Sequence, residues 1–129
     1  MALVNLIVVL ALLQFMAFAT AVSRAREKYN VPAPATTGNE IFERYFRVQM
    51  NTMELLVVFV PAIWMFGFYA NSRMAAGLGV IYLIGRCVYF FAYVKDPGKR
   101  SLGYTLSAAP VAALLVGALV AAIRAALHP

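Results

Sequence analysis

Four long apolar runs leave this chain few ways to fold. Residues 2–22 are broken only by Asn5, Gln14 and Thr20, and residues 55–70 are apolar throughout. Residues 74–94 carry one charge, Arg86, and residues 102–123 carry none. A helix that crosses the bilayer core needs about 20 apolar residues, and it satisfies its own backbone N–H and C=O groups where no water can. Four such helices use nearly all of the 129 residues, so no soluble domain fits beside them. Only 12% of the residues are charged, against about 25% in soluble domains. The expected fold is therefore all-α, an integral membrane four-helix bundle of up-down topology forming one domain over residues 1–129. Its helices are expected at about 2–29, 39–70, 73–95 and 101–127.

The first run is read as a retained anchor. Ala17-Phe18-Ala19 resembles a cleavage site, but no basic stretch precedes the run, and the basic residues follow it. Val31-Pro32-Ala33-Pro34 blocks helix continuation, and Asn39 is placed to cap the second helix. Asn71-Ser72 and Asp96-Pro97-Gly98 read as tight turns.

The net charge of +6 is not a nucleic-acid signal. The basic residues cluster at span ends. Arg24, Arg26, Lys28, Arg44 and Arg47 flank the first connection, and Lys95, Lys99 and Arg100 flank the third. Arg73, Arg124 and His128 mark the opposite side. By the positive-inside rule the first and third connections are cytoplasmic. The compact, Ala-rich chain points to a bacterial inner membrane. The single cysteine, Cys87, has no disulfide partner and is read as a small packed apolar residue. No metal-ligand pattern, dinucleotide-binding glycine pattern or Ser-His-Asp arrangement occurs. If the chain is an enzyme, its arginines and hydroxyls must act on a reactive group that a ligand brings.

Polar residues that run straight into a membrane segment point to function. On the second helix Arg47, Asn51 and Glu54 fall at i, i+4 and i+7, so a guanidinium, an amide and a carboxylate stack on one face. Such a column suits a small zwitterionic ligand. On the third helix Arg86, Tyr89 and Tyr93 share a face, which Tyr82 extends. Lys99-Arg100 opens the fourth helix, and Arg26 ends the first. Glu54 and Arg86 lie at similar depth, so an ion pair between them is feasible and would fasten the two helices. Tyr89 and Tyr93 are read as facing a ligand, Tyr45 and Tyr104 as interfacial anchors.

Phe42-Glu43-Arg44-x-x-Arg47-x-Gln49-x-Asn51-x-x-Glu54 resembles the signature of the MAPEG family, membrane-associated proteins of eicosanoid and glutathione metabolism. Further matches follow in the same order: Ala25-Arg26-x-Lys28-Tyr29, Thr37-Gly38, Trp64, Gly79-x-x-Tyr82-x-x-x-Arg86-x-x-Tyr89-Phe90-x-x-Tyr93 and Lys99-Arg100. The resemblance covers about residues 20–105 and is strongest to the microsomal glutathione S-transferase type 2 and leukotriene C synthase branches.

The resemblance implies a homotrimer that binds glutathione between subunits near the cytoplasmic side. It implies that Arg47, Asn51, Glu54, Tyr89 and Tyr93 hold glutathione from one subunit, while Arg26 and Gln49 reach it from the neighbour. Arg100 matches the arginine that stabilises the glutathione thiolate, and Arg86 keeps an orienting role. The implied activity is conjugation of glutathione to lipophilic electrophiles dissolved among membrane lipids, with reduction of lipid hydroperoxides as a further activity. Glutathione enters as co-substrate, and no metal is needed. Glu27 stands where leukotriene C synthase has a second arginine, and Leu55 stands where it has a tyrosine. Both departures favour the type-2-like transferase. Two other readings remain, a non-catalytic lipid-presenting scaffold and a small oligomeric transporter.

Overall fold

The computed structural model describes all 129 residues. It contains α1 (Ala2–Tyr29), α2 (Glu40–Tyr69), α3 (Ser72–Lys95), a 3-10 turn (Pro97–Lys99) and α4 (Ser101–Leu127), and no strand. All four α-helices are long and apolar enough to cross a membrane. The helix ends follow local chemistry. Asn39 Oδ1 accepts from the N–H groups of Ile41 and Phe42 at 2.9 and 3.0 Å. Asn71 Oδ1 accepts from Met74 N at 2.9 Å, and Asp96 Oδ1 from Gly98 N at 3.0 Å. Each satisfies donors that a helix start leaves free. Asn30 ends α1 in the left-handed region at φ 55°, a conformation asparagine tolerates. Helices α2 and α4 stay helical through Pro61 and Pro110.

The core lies along the bundle axis, where Val4, Ile7, Phe59, Ile63, Tyr82 and Leu114 are buried together. Tyr82 stacks on Phe59 with ring centres 3.9 Å apart. It belongs to this core and does not extend a ligand-facing surface. Near the start of α2 a smaller cluster joins Val22, Ala25, Val31 and Phe42. Leu13 and Met16 of α1 and Val116 and Leu119 of α4 are exposed, as suits helices whose outer solvent is lipid.

Helices α3 and α4 meet backbone to backbone. A Cβ added at Gly85 would lie 2.6 Å from both Leu106 C and Ser107 N. One added at Gly103 would fall onto the backbone of Tyr89. Glycine is needed at both points because small residues let membrane helices approach closely. This contact sets the start of α4 against Tyr89, and so it fixes where the site forms.

Candidate functional site

Arg86 is wholly buried, and its hydrogen bonds join three helices. Its Nη1 donates to Asn51 Oδ1 at 2.8 Å and to Thr52 Oγ1 at 3.2 Å on α2. Its Nη2 donates to Ser107 Oγ at 2.7 Å on α4. The two hydroxyls pass their own protons to helix carbonyls, Thr52 to Val48 O at 2.8 Å and Ser107 to Gly103 O at 2.6 Å. The guanidinium also lies over the Tyr89 ring, 4.3 Å from its centre, where the face of the ring attracts a cation.

The feasible Glu54–Arg86 pair does not form. Glu54 pairs instead with Arg47 at 3.7 Å, and both side chains are 57% exposed. The reason is helix phase. Thr52 points into the bundle, and Glu54, two residues on, is turned about 200° away. Neutral acceptors hold the buried cation, and the carboxylate stays at the surface.

Beside this node a cavity of about 670 Å³ opens between α2, α3 and α4. Helix α2 contributes Arg47 and Asn51, α3 contributes Tyr89 and Tyr93, and α4 contributes Ser101, Tyr104 and Thr105, with Arg100 just before it. The rings of Tyr89 and Tyr93 lie 5.4 Å apart, and those of Tyr89 and Tyr104 lie 6.3 Å apart. Arg100 Nη1 donates to Pro97 O at 3.0 Å, so the 3-10 turn steers its side chain. The unpaired N–H groups at the start of α4 lie at the same place and favour negative charge.

The lining is rich in donors. Arginine only donates, so the Asn51 atom facing Arg86 must be its oxygen, and the amide NH2 is left for the cavity. The two lining arginines, Arg47 and Arg100, can hold anionic groups. The five lining hydroxyls can donate or accept. Glu54 supplies the nearby carboxylate through Arg47. Such a set suits a ligand with more than one carboxylate and a single ammonium group.

Of the residues singled out in the sequence, Arg47, Asn51, Tyr89, Tyr93 and Arg100 line this cavity, and Glu54 contacts it through Arg47. Arg26 and Gln49 do not line it. Arg26 donates to Val31 O at 3.3 Å and Ala35 O at 2.6 Å and lies over the Phe42 ring at 4.8 Å. Gln49 is half-buried on another face of α2. Ser101 and Thr105 also line the cavity, although no motif in the sequence singled them out. Tyr104 forms cavity wall where an interfacial anchor was expected, and Tyr45 is half-buried, edge-on to Phe90 at 5.9 Å. The signal was present, since 100, 101, 104 and 105 recur at helical spacing in the one polar stretch of α4. Cys87 is also not packed as expected. It is exposed and accepts a hydrogen bond from Gln14 Nε2 at 3.2 Å.

Comparison with known proteins identifies the family of the chain. The MAPEG family model matches residues 3–120. An uncharacterised protein of Synechocystis sp. is 45% identical over 114 residues, 88% of this chain and 83% of the relative. Human microsomal glutathione S-transferase 2 is 45% identical over 103 residues, 79% of this chain and 70% of the relative. Guinea pig (Cavia porcellus) leukotriene C4 synthase is 37% identical over 83 residues, 64% of this chain and 55% of the relative. With four membrane-spanning helices and a family match along nearly its whole length, the chain is an integral multi-pass membrane protein that belongs to the MAPEG family.

Proposed function

We propose that this protein is a membrane glutathione transferase that conjugates the glutathione thiolate to lipophilic electrophiles. The observation that carries the reading is the donor-rich cavity holding Arg47, Asn51, Tyr89, Tyr93 and Arg100 together. Glutathione has two carboxylates, one ammonium and a thiol. Arg47, the Asn51 amide and the tyrosine hydroxyls suit its carboxylates, and Glu54 suits its ammonium. The similarity to microsomal glutathione S-transferase 2 supports the same ligand.

Arg100 is assigned to the thiol. A cysteine-type thiol has a pKa near 8.5, so only a few per cent is thiolate at pH 7. Lowering that value to about 6.5 takes about 2.7 kcal/mol. A guanidinium within about 4–6 Å shifts a pKa by about 1–3 units toward the charged form, and the helix start beside Arg100 acts in the same direction. The thiol proton leaves to water, the thiolate sulfur bonds to the electrophilic carbon, and that carbon releases its leaving group. With a lipid hydroperoxide the sulfur attacks the terminal oxygen instead: the O–O bond breaks to give the alcohol and a glutathione sulfenic acid, and a second glutathione thiol displaces water from it to give the disulfide. Peroxidase activity is thus a second chemistry available to the same thiolate.

The subunit is assigned to a homotrimer in which Arg26 and Gln49 reach the cavity of a neighbouring copy. Membership of the MAPEG family supports this. The topology is up-down. Arg44 Nη1, at the start of α2, donates to Val94 O and Lys95 O at the end of α3, at 3.2 and 3.3 Å. The basic clusters therefore share one end, cytoplasmic by the positive-inside rule, and the host is a bacterial inner membrane. Glutathione enters from water, and the electrophile enters from lipid.

Conjugation of a chloronitrobenzene in detergent tests the assignment. Arg100→Ala is expected to lower kcat/KM by about 100-fold, equivalent to about 2.7 kcal/mol, and to abolish the thiolate absorbance of bound glutathione. Unchanged thiolate absorbance would remove the role given to Arg100. A calorimetric titration showing no glutathione binding would favour a lipid-presenting scaffold instead.

A further inference from the structure

A second concave site lies between α1 and α3, with Tyr45 of α2 closing one side, at the basic end of the bundle, and it shares no lining residue with the donor-rich cavity. Its volume is about 310 Å³. Ala17, Ala21 and Ala25, four residues apart on α1, line it, and Phe90 of α3 walls it. Phe90 is held rigidly, stacked on Phe18 with centres 4.8 Å apart. Arg24 and Lys28 also line it, again four apart, and no carboxylate does. Neither cation makes an ion pair with the protein, and Lys28 has only the Tyr29 ring at 5.4 Å.

The site is thus apolar at one end and doubly cationic at the other. From Ala17 to Lys28 the helix rises about 16 Å, about half of a hydrocarbon core about 30 Å thick. The groove therefore spans one leaflet, with its charges at headgroup depth. A basic span end by itself needs only to orient the chain. It does not need a row of alanines beneath it or a fixed aromatic wall. We propose that this groove holds an anionic phospholipid, its phosphate between Arg24 and Lys28 and one acyl chain along Ala17, Ala21 and Phe90. Clustered cations just cytoplasmic of a membrane helix attract anionic lipid, and here an apolar channel continues from them.

Native mass spectrometry of the detergent-purified protein tests this, with phosphatidylglycerol and phosphatidylcholine of identical acyl chains as probes. The wild type is expected to retain phosphatidylglycerol at least about 10-fold more strongly, about 1.4 kcal/mol. Sodium phosphate at the same concentration is expected not to displace it, since the chain contributes to binding. Arg24→Gln/Lys28→Gln should abolish the preference, and Lys95→Gln, a cation at the same end but outside the groove, should keep it. Ala21→Leu should weaken both lipids by filling the channel. All variants are expected to conjugate glutathione like wild type in lipid-free detergent, which separates this site from the proposed catalytic one. Equal retention of the two lipids by wild type, or a preference that survives the double substitution, overturns the proposal. Displacement by phosphate alone would reduce the site to an anion contact and also overturn it.

Discussion

Arg86 and Arg47 sit on adjacent helices around the same asparagine, and the protein uses them in opposite ways. Arg86 is wholly buried, with neutral oxygens of α2 and α4 around it. Arg47 is largely exposed and reaches a single carboxylate at 3.7 Å. A cation taken out of water must be surrounded or it destabilises the fold. One left at the rim of a cavity keeps its capacity for a ligand. Asn51 joins the two regions. Its oxygen is committed to Arg86, and that commitment leaves its amide hydrogens for the cavity. The buried arginine therefore helps shape a cavity that it does not line.

The largest expected effect is on the buried side. Arg86→Met leaves the oxygens of Asn51, Thr52 and Ser107 without their donor, and hydrogen bonds to a charged group contribute about 1.5–3 kcal/mol each. A loss of about 3 kcal/mol or more is expected, read as a lower thermal midpoint in detergent with weaker glutathione binding. A midpoint within a degree or so of wild type would break the contrast between the two arginines.

Gly103→Ala comes next. Its methyl group would meet the Tyr89 backbone, so α3 and α4 must separate, and overpacking of this kind costs about 1–3 kcal/mol. The same movement shifts Arg100 and Tyr104 relative to Tyr89, so conjugation should fall together with stability. A variant that loses stability but keeps full activity would show that the site does not depend on this close approach.

Glu54→Gln should have the smallest effect on folding. With both partners 57% exposed, solvent screening holds the pair to a few tenths of a kcal/mol, and the thermal midpoint should barely move. Glutathione affinity, measured by calorimetry, should fall about 10-fold, about 1.4 kcal/mol. A clear drop in midpoint would mean that the pair fastens helices after all.

Much of this could be read along the chain because the signals are periodic. Four apolar runs gave four helices, and Asn39, placed as a cap, does cap α2. Arg47 and Asn51, spaced four apart, do line one cavity. Spacing along one helix failed where partners come from different helices. Equal depth made Glu54 and Arg86 look like a pair, but depth carries no information on rotation about each axis. Tyr104 looked like an anchor because Arg47, Asn51, Tyr89 and Tyr93, which share its cavity, lie on other helices. Cys87 looked packed because hydrophobicity does not tell which face of a membrane helix meets lipid.

Hydrophobic length and charge placement act locally along the chain, so a four-helix membrane protein with most of its cations toward one end was legible before any tertiary contact. Only the tertiary structure decided which polar groups meet. The approach of α3 to α4 at Gly85 and Gly103 sets the rotation and height of α4. That placement brings Ser107 to Arg86 and Arg100 to the tyrosines. Helix contacts of this kind depend on three-dimensional complementarity between residues far apart in sequence, which spacing along one helix does not encode.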